Sequence, residues 1–159
     1  MEHKIWKHYI TKTFKSGEKI TDGVKWYCSP ARAQHFYEND LYWLKKLQSK
    51  WVSELIDYND KKQTITLKYY GPSLLEITPD KNWKYQIIDM YKFFKKNNVY
   101  KRNGSLSNLT EDNGQIKAFD FKWATQRPNG KELEIRSYKE WLSKIDINLA
   151  EILMNDLET

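Results

Sequence analysis

A tight turn in the third quarter of the chain constrains the fold more than any other stretch. Glu111-Asp112-Asn113-Gly114 carries the Asn-Gly pair suited to the left-handed positions of a two-residue hairpin turn. Two short strands are predicted to flank it, the first entered through Ser105-Leu106-Ser107-Asn108-Leu109 and the second running over Gln115-Ile116-Lys117-Ala118-Phe119-Asp120-Phe121. On either side lie helical patterns. Pro79 to Asn98 places Trp83, Ile87, Ile88, Tyr91 and Phe94 on one stripe, and Ser137 to Leu157 does the same with Trp141, Ile145, Leu149, Ile152 and Leu153. Arg127-Pro128-Asn129-Gly130 reads as a break between them.

The first half reads differently. Ile5 to Phe14 is aromatic and β-branched, Lys15-Ser16-Gly17-Glu18 has turn chemistry, and Val24-Lys25-Trp26-Tyr27 continues as strand up to Ser29-Pro30. From Ala31 to Gln48 the apolar period lengthens to that of a helix, with Phe36, Leu44 and Leu47 on one side and Asp40 four residues after Phe36. A second hairpin is predicted from Trp51–Tyr58 and Thr64–Tyr70 around Asn59-Asp60-Lys61-Lys62, ending at Gly71-Pro72. The expected class is α+β.

Composition narrows the function classes. The 159 residues suit one domain, and 15% aromatics, with seven Trp and eleven Tyr, supply a core. A mean hydropathy of −0.85 and the lack of any long apolar run exclude a membrane span. The single cysteine, Cys28, rules out an internal disulfide framework and a Cys-only zinc site and fits a reducing compartment. Without a secretory pattern at Met-Glu-His-Lys-Ile-Trp, the cytoplasm is the expected location. The net charge of +6 and runs such as Tyr91-Lys92-Phe93-Phe94-Lys95-Lys96 fit a nucleic-acid binder. Richness in Lys, Asn, Ile and Tyr together reflects AT-biased coding equally well, and no zinc-finger or RNA-recognition spacing accompanies it. Nucleic acid is therefore not the expected partner.

Residues 99–124 resemble the core of the eukaryotic-type protein kinases. Lys101-Arg102-Asn103 with Asn108 matches the catalytic loop, and Ile116 to Lys122 matches the strand that runs into Asp-Phe-Gly. The resemblance implies a two-lobed fold: a β-rich small lobe over residues 1–70 and a minimal helical large lobe over 71–159, which carries the catalytic loop and an Asp-Phe-Lys segment. Carried over, Lys25 is the phosphate lysine and Asp40 its helix partner, with Glu38 the alternative. Lys68 and Tyr70 border the nucleotide at the hinge, and Asn108 and Asp120 are the magnesium ligands.

The departures are equally specific. Asn103 stands at the position of the catalytic base, where an amide cannot take up a proton as a carboxylate does. Ser105 replaces the loop lysine, Lys122 the glycine and Lys101 the histidine, and no Gly-x-Gly-x-x-Gly is present. Lys101 and Lys122 are candidates to face phosphate. The resemblance thus implies a degenerate, pared-down kinase fold of a kind that suits a viral or phage genome. The expected function is a pseudokinase that binds ATP with magnesium and acts through a protein partner. An active phosphotransferase acting on a small molecule or protein is the first alternative, and a basic nucleic-acid module the second. A second copy of the chain is expected wherever the absent large-lobe helices leave an apolar face uncovered.

Asp120 also reads as a strand-end carboxylate, Asn108 as a turn cap and Lys25 as one lysine among many. His3, His8 and His35 are scattered, the aromatic stripes read as core, and Cys28 reads as packed.

Overall fold

The computed structural model describes residues 2–6, 8–77 and 81–159. Three antiparallel hairpins and a helix make up the first half. They are β1 (Glu2–Trp6) with β2 (Tyr9–Thr13), β3 (Gly17–Thr21) with β4 (Val24–Cys28), helix α1 (Pro30–Lys46), and β5 (Leu55–Asn59) with β6 (Thr64–Lys68). β1, β2, β6 and β5, in that order, form one antiparallel sheet, while β3 and β4 pair only with each other. The predicted turn at Lys15–Glu18 therefore joins two hairpins, and the first hairpin reverses between Trp6 and Tyr9.

Alternation along β2 turns Ile10, Lys12 and Phe14 to the buried side, where Lys12 lies opposite Ile65 and Ile10 opposite Leu67. α1 begins where Ser29 Oγ accepts the Arg32 N–H at 3.1 Å and Pro30 occupies the first turn, as helix capping favours. Its buried stripe of Ala33, Phe36, Tyr37, Asp40, Leu41 and Leu44 follows helical spacing, so Asp40 is drawn inward with the apolar residues.

The second half is mainly helical. It contains α2 (Trp83–Lys96), a 3-10 turn at Leu106–Asn108, the hairpin β7 (Leu109–Asp112) and β8 (Gln115–Ala118), α3 (Gly130–Ser137), a π-helical turn at Tyr138–Leu142 and α4 (Ile147–Glu158). The stripe predicted from Pro79 lies in α2, though Pro79 itself is outside the described residues. Asn98, at φ 56°, ends that helix in the left-handed region. The turn between β7 and β8 forms as predicted, with Asn113 at φ 49° and Gly114 at φ 85°. Ala118 ties this hairpin to the first half, donating its N–H to Trp51 O at 2.7 Å and accepting the Ser53 N–H at 2.9 Å.

The C-terminal segment departs from the single helix read from Ser137 to Leu157. Asp146 Oδ1 accepts the Leu149 N–H at 2.9 Å and starts a new helix there, so the chain turns between Leu142 and Ile147. Leu149 and Leu153 are buried, whereas Trp141, Ile145 and Ile152 stay exposed. Gly130, read as a break, instead opens α3, and its lack of a side chain is what permits this. A Cβ there would sit 2.6 Å from Tyr100 Cδ2 and 2.7 Å from Thr125 Cγ2. Among the described residues, no helix is long and apolar enough to cross a membrane.

Phe94 joins α2 to the segment after β8, its ring meeting Phe121 edge-on at 5.8 Å and Tyr91 at 5.5 Å. Phe94→Ala is expected to cost about 3–5 kcal/mol of stability, read from chemical denaturation. A loss below 1 kcal/mol would show that this packing does not bridge the two halves.

Candidate functional site

The cleft is built around a buried ion pair. Lys12 Nζ and Asp40 Oδ2 are 2.7 Å apart, and both side chains are almost wholly buried. Burial alone would lower the Lys12 pKa, but the charges of Asp40 and Asp120 and the bond to Asp40 outweigh it and leave the value raised. The other Asp40 oxygen accepts the Phe121 N–H at 2.7 Å. Its neighbour Asn39 donates through Nδ2 to Lys122 O at 2.8 Å and Ala124 O at 2.9 Å. One turn of α1 therefore fixes both the lysine of β2 and the chain that follows Asp120.

This corrects the lysine assignment. Lys25 lies exposed on β4, opposite Ile20, in a hairpin that takes no part in the main sheet. Asp40, not Glu38, is the helix acid in the pair, and its partner is Lys12. Glu38 is on the exposed side of α1 and accepts from Gln34 Nε2. The signal for Lys12 was available in the strand pattern: it sits in the apolar phase between Ile10 and Phe14, whereas Lys25 is out of phase with Trp26 and Cys28.

Asp120 adopts φ 64°, a left-handed conformation tolerated by Asp but unusual outside functional or tight-turn positions. Burial raises its pKa, and Lys12, Lys122 and Lys101 together bring it below the usual carboxylate value. Lys122 Nζ is 3.9 Å from Oδ2, while Oδ1 is buried with no hydrogen-bond partner. Asn108 is close by through the backbone, its carbonyl accepting the Phe119 N–H at 3.1 Å. A carboxylate oxygen left unpaired among lysines, with an amide residue beside it, fits a hard cation whose remaining ligands come from phosphate oxygens. Among the described residues no group of three or more His, Cys, Asp or Glu gathers to hold a metal without them.

Lys101 is buried, donates to Asp120 O at 3.1 Å and lies 5.0 Å from the centre of the Phe121 ring. Burial pushes its pKa down to about 8 despite the nearby Asp120 and Glu134. It supports the backbone from within and does not face the cleft, unlike Lys122, so only one of the two candidate phosphate lysines is partly exposed. Lys12 and its strand neighbour His3 line a cavity of about 430 Å³, together with Lys68, Tyr70, Leu75 and Phe119. Lys68 lies over the Tyr70 ring at 5.4 Å, and Tyr70 Oη accepts the Glu54 N–H. His3 was passed over in the sequence. It stands opposite Lys12 in the β1–β2 register, its pKa pushed down by partial burial and by Lys12.

Asn103 lies elsewhere, in a recess of about 330 Å³ with Arg102, Arg136 and Trp141. The loop that carries it is fastened from below by α3. Glu134 Oε2 accepts the Arg102 N–H at 2.8 Å, and Ser137 Oγ accepts the Gly104 N–H at 2.5 Å. Arg102 is left-handed at φ 73°. Neither Glu134 nor Ser137 was read from the sequence, although Gly130, Glu134 and Ser137 fall at helical spacing.

No protein-family profile matches the sequence, and no curated protein matches it. The backbone is similar to the crystal structure of monomeric WbdD, with a TM-score of 0.66 and 12% identity, over 99% of this chain and 44% of that one. The chain thus spans less than half the length of that protein. At this identity the likeness shows the fold, which is α+β and kinase-like in its two lobes.

Two predictions follow the buried charges. Asp40→Leu strips both Lys12 and the Phe121 N–H of their acceptor and is expected to cost about 3–5 kcal/mol, with much of the loss regained when Lys12→Met is added. Equal losses in the single and double variants would mean the pair is not coupled. Burial pushes the Glu134 carboxyl up to about 7 even though the Arg102 N–H opposes the shift. The folded protein then holds that proton where the unfolded chain releases it, so stability falls as pH rises from about 4.5 to 7, by about 3 kcal/mol. Denaturation midpoints across this range should flatten in Glu134→Gln relative to the parent protein.

Proposed function

We propose that the protein binds a nucleoside triphosphate, ATP in the simplest case, with magnesium in the cleft lined by Lys12 and Tyr70. On this reading it is a pseudokinase that acts through a protein partner. The observation that carries the reading is the Lys12–Asp40 pair set beside Asp120, whose buried Oδ1 has no partner. Lys12 presents its charge to phosphate, Asp40 orients it, and Asp120 with Asn108 would hold the metal, which neutralises phosphate charge when bound. Lys68 and Tyr70 border the base end of the cavity. Asn103 offers an amide where a base would be needed, which weighs against ordinary protein phosphorylation.

A second reading, a phosphotransferase acting on a small molecule, is favoured by the recess at Asn103, which leaves space for an acceptor. Transfer through a loose transition state depends chiefly on positioning and electrostatics, so the loss of one base lowers the rate without removing the chemistry.

Thermal unfolding with ATP and magnesium tests both readings. Saturating nucleotide at about 100 times its dissociation constant adds about 2.7 kcal/mol, a shift expected to disappear in Lys12→Met. No shift at millimolar nucleotide would overturn the reading. Nucleotide hydrolysis or radiolabel transfer that is lost in Asp120→Ala would favour the phosphotransferase over the pseudokinase.

A further inference from the structure

We propose that the cavity between α1 and residues 122–129 is a second ligand site, for a small phosphomonoester that carries a flat organic group. The cavity is about 450 Å³ and is separate from the cleft at Lys12. Arg102, Lys122 and Arg127 line it with His35, and no Asp or Glu is among the described residues of its wall. The nucleotide cleft differs, since there Asp120 and Asp40 offset the lysines. Three fixed positive charges around one uncompensated cavity call for an anion, and arginine forks match the oxygens of a phosphate.

Two further observations point to a ligand. The Arg102 guanidinium lies 5.3 Å from the Trp123 ring and donates through Nη1 to Trp123 O at 3.4 Å, yet its Nε is buried with no partner. Burial lowers the Arg102 pKa, with Arg136 adding to the effect, as expected where cations crowd without enough counter-charge. The wall is also held in place before any ligand arrives. Asn39 fixes the carbonyls of Lys122 and Ala124, Tyr100 and Thr125 exchange two backbone bonds of 2.9 and 3.0 Å, and Thr125 Oγ1 accepts the Arg127 N–H at 3.1 Å. A preformed wall spares the ligand the cost of ordering it. Tyr42 and Trp123, both partly exposed, supply faces for the organic group. With no carboxylate in the wall to hold a metal, the ligand binds without magnesium.

Titration calorimetry with phenyl phosphate in the presence of a chelator tests this. Saturable binding is expected, weakened about tenfold or more in Arg127→Gln and unchanged in Lys12→Met. Arg127 is exposed, so its substitution leaves folding intact. Absence of binding at millimolar phenyl phosphate overturns the proposal, as does equal affinity in Arg127→Gln. Loss in Lys12→Met would place the anion in the nucleotide cleft and overturn it as well. Inorganic phosphate is expected to bind more weakly, and equal affinity would overturn the assignment of an organic group. The ATP–magnesium shift of the same samples reports the nucleotide cleft independently, so failure of one site is distinguishable from failure of the other.

Discussion

The buried pair of Lys12 and Asp40 is the interaction on which the rest of the structure depends. Taking both charges out of water costs several kcal/mol each, and their attraction repays this only with good geometry and further bonds to the remaining lone pairs. Here the distance is 2.7 Å, and the free oxygen of Asp40 accepts the Phe121 N–H. The pair is thus satisfied on both sides, and satisfying it brings three parts of the chain together: strand β2, helix α1 and the segment after β8. A hydrophobic pair would pack in the same volume, but it would leave the Phe121 N–H without its acceptor and the cleft without its inner charge.

The second half is organised by a different economy, in which buried polar groups hold backbone and not one another. Lys101 holds the Asp120 carbonyl, Glu134 the Arg102 N–H and Ser137 the Gly104 N–H. Arg102 and Asp120, the two residues in this region with left-handed backbone and long or charged side chains, sit where these bonds converge. Conformations of that kind persist when the surroundings over-determine them. The degenerate positions of the loop therefore did not collapse into unconstrained coil. Lysine at 101 fills the core beneath the site and keeps its carbonyl partner, at the cost of burying a cation beside Phe121.

Much of this was legible in the residues, for physical reasons that can be named. Asn113-Gly114 announces its hairpin because few other residues accept two successive positive φ angles. Asp40 stands out because a carboxylate in an apolar helical stripe needs a partner. Lys12 was missed because the strand nearest α1 in sequence was taken as its partner in space, whereas the β3–β4 hairpin intervenes and stands apart from the sheet. The helix α3 was hidden because its buried face is made of Gly130, Glu134 and Ser137, which carry no apolar period. Its role is to bond backbone, and backbone acceptors leave almost no trace in a hydrophobic pattern. The exposed Trp141, Ile145 and Ile152 show the converse, a helical stripe in the sequence that the folded chain does not bury.

The two oxygens of Asp40 act as a logical conjunction. One is committed to a strand and the other to an amide more than eighty residues away, so α1 cannot swing out from the sheet without releasing both at once. Asn39, one residue earlier, adds bonds to two carbonyls of the same distant segment, and these would be released in the same motion. A helix tied at adjacent residues to both walls of a cleft has few intermediate positions to occupy. Any ligand that draws Lys12 or Asp120 toward itself therefore reports its presence on the far face of α1, and whatever docks against that face reads the state of the cleft as present or absent, with little in between.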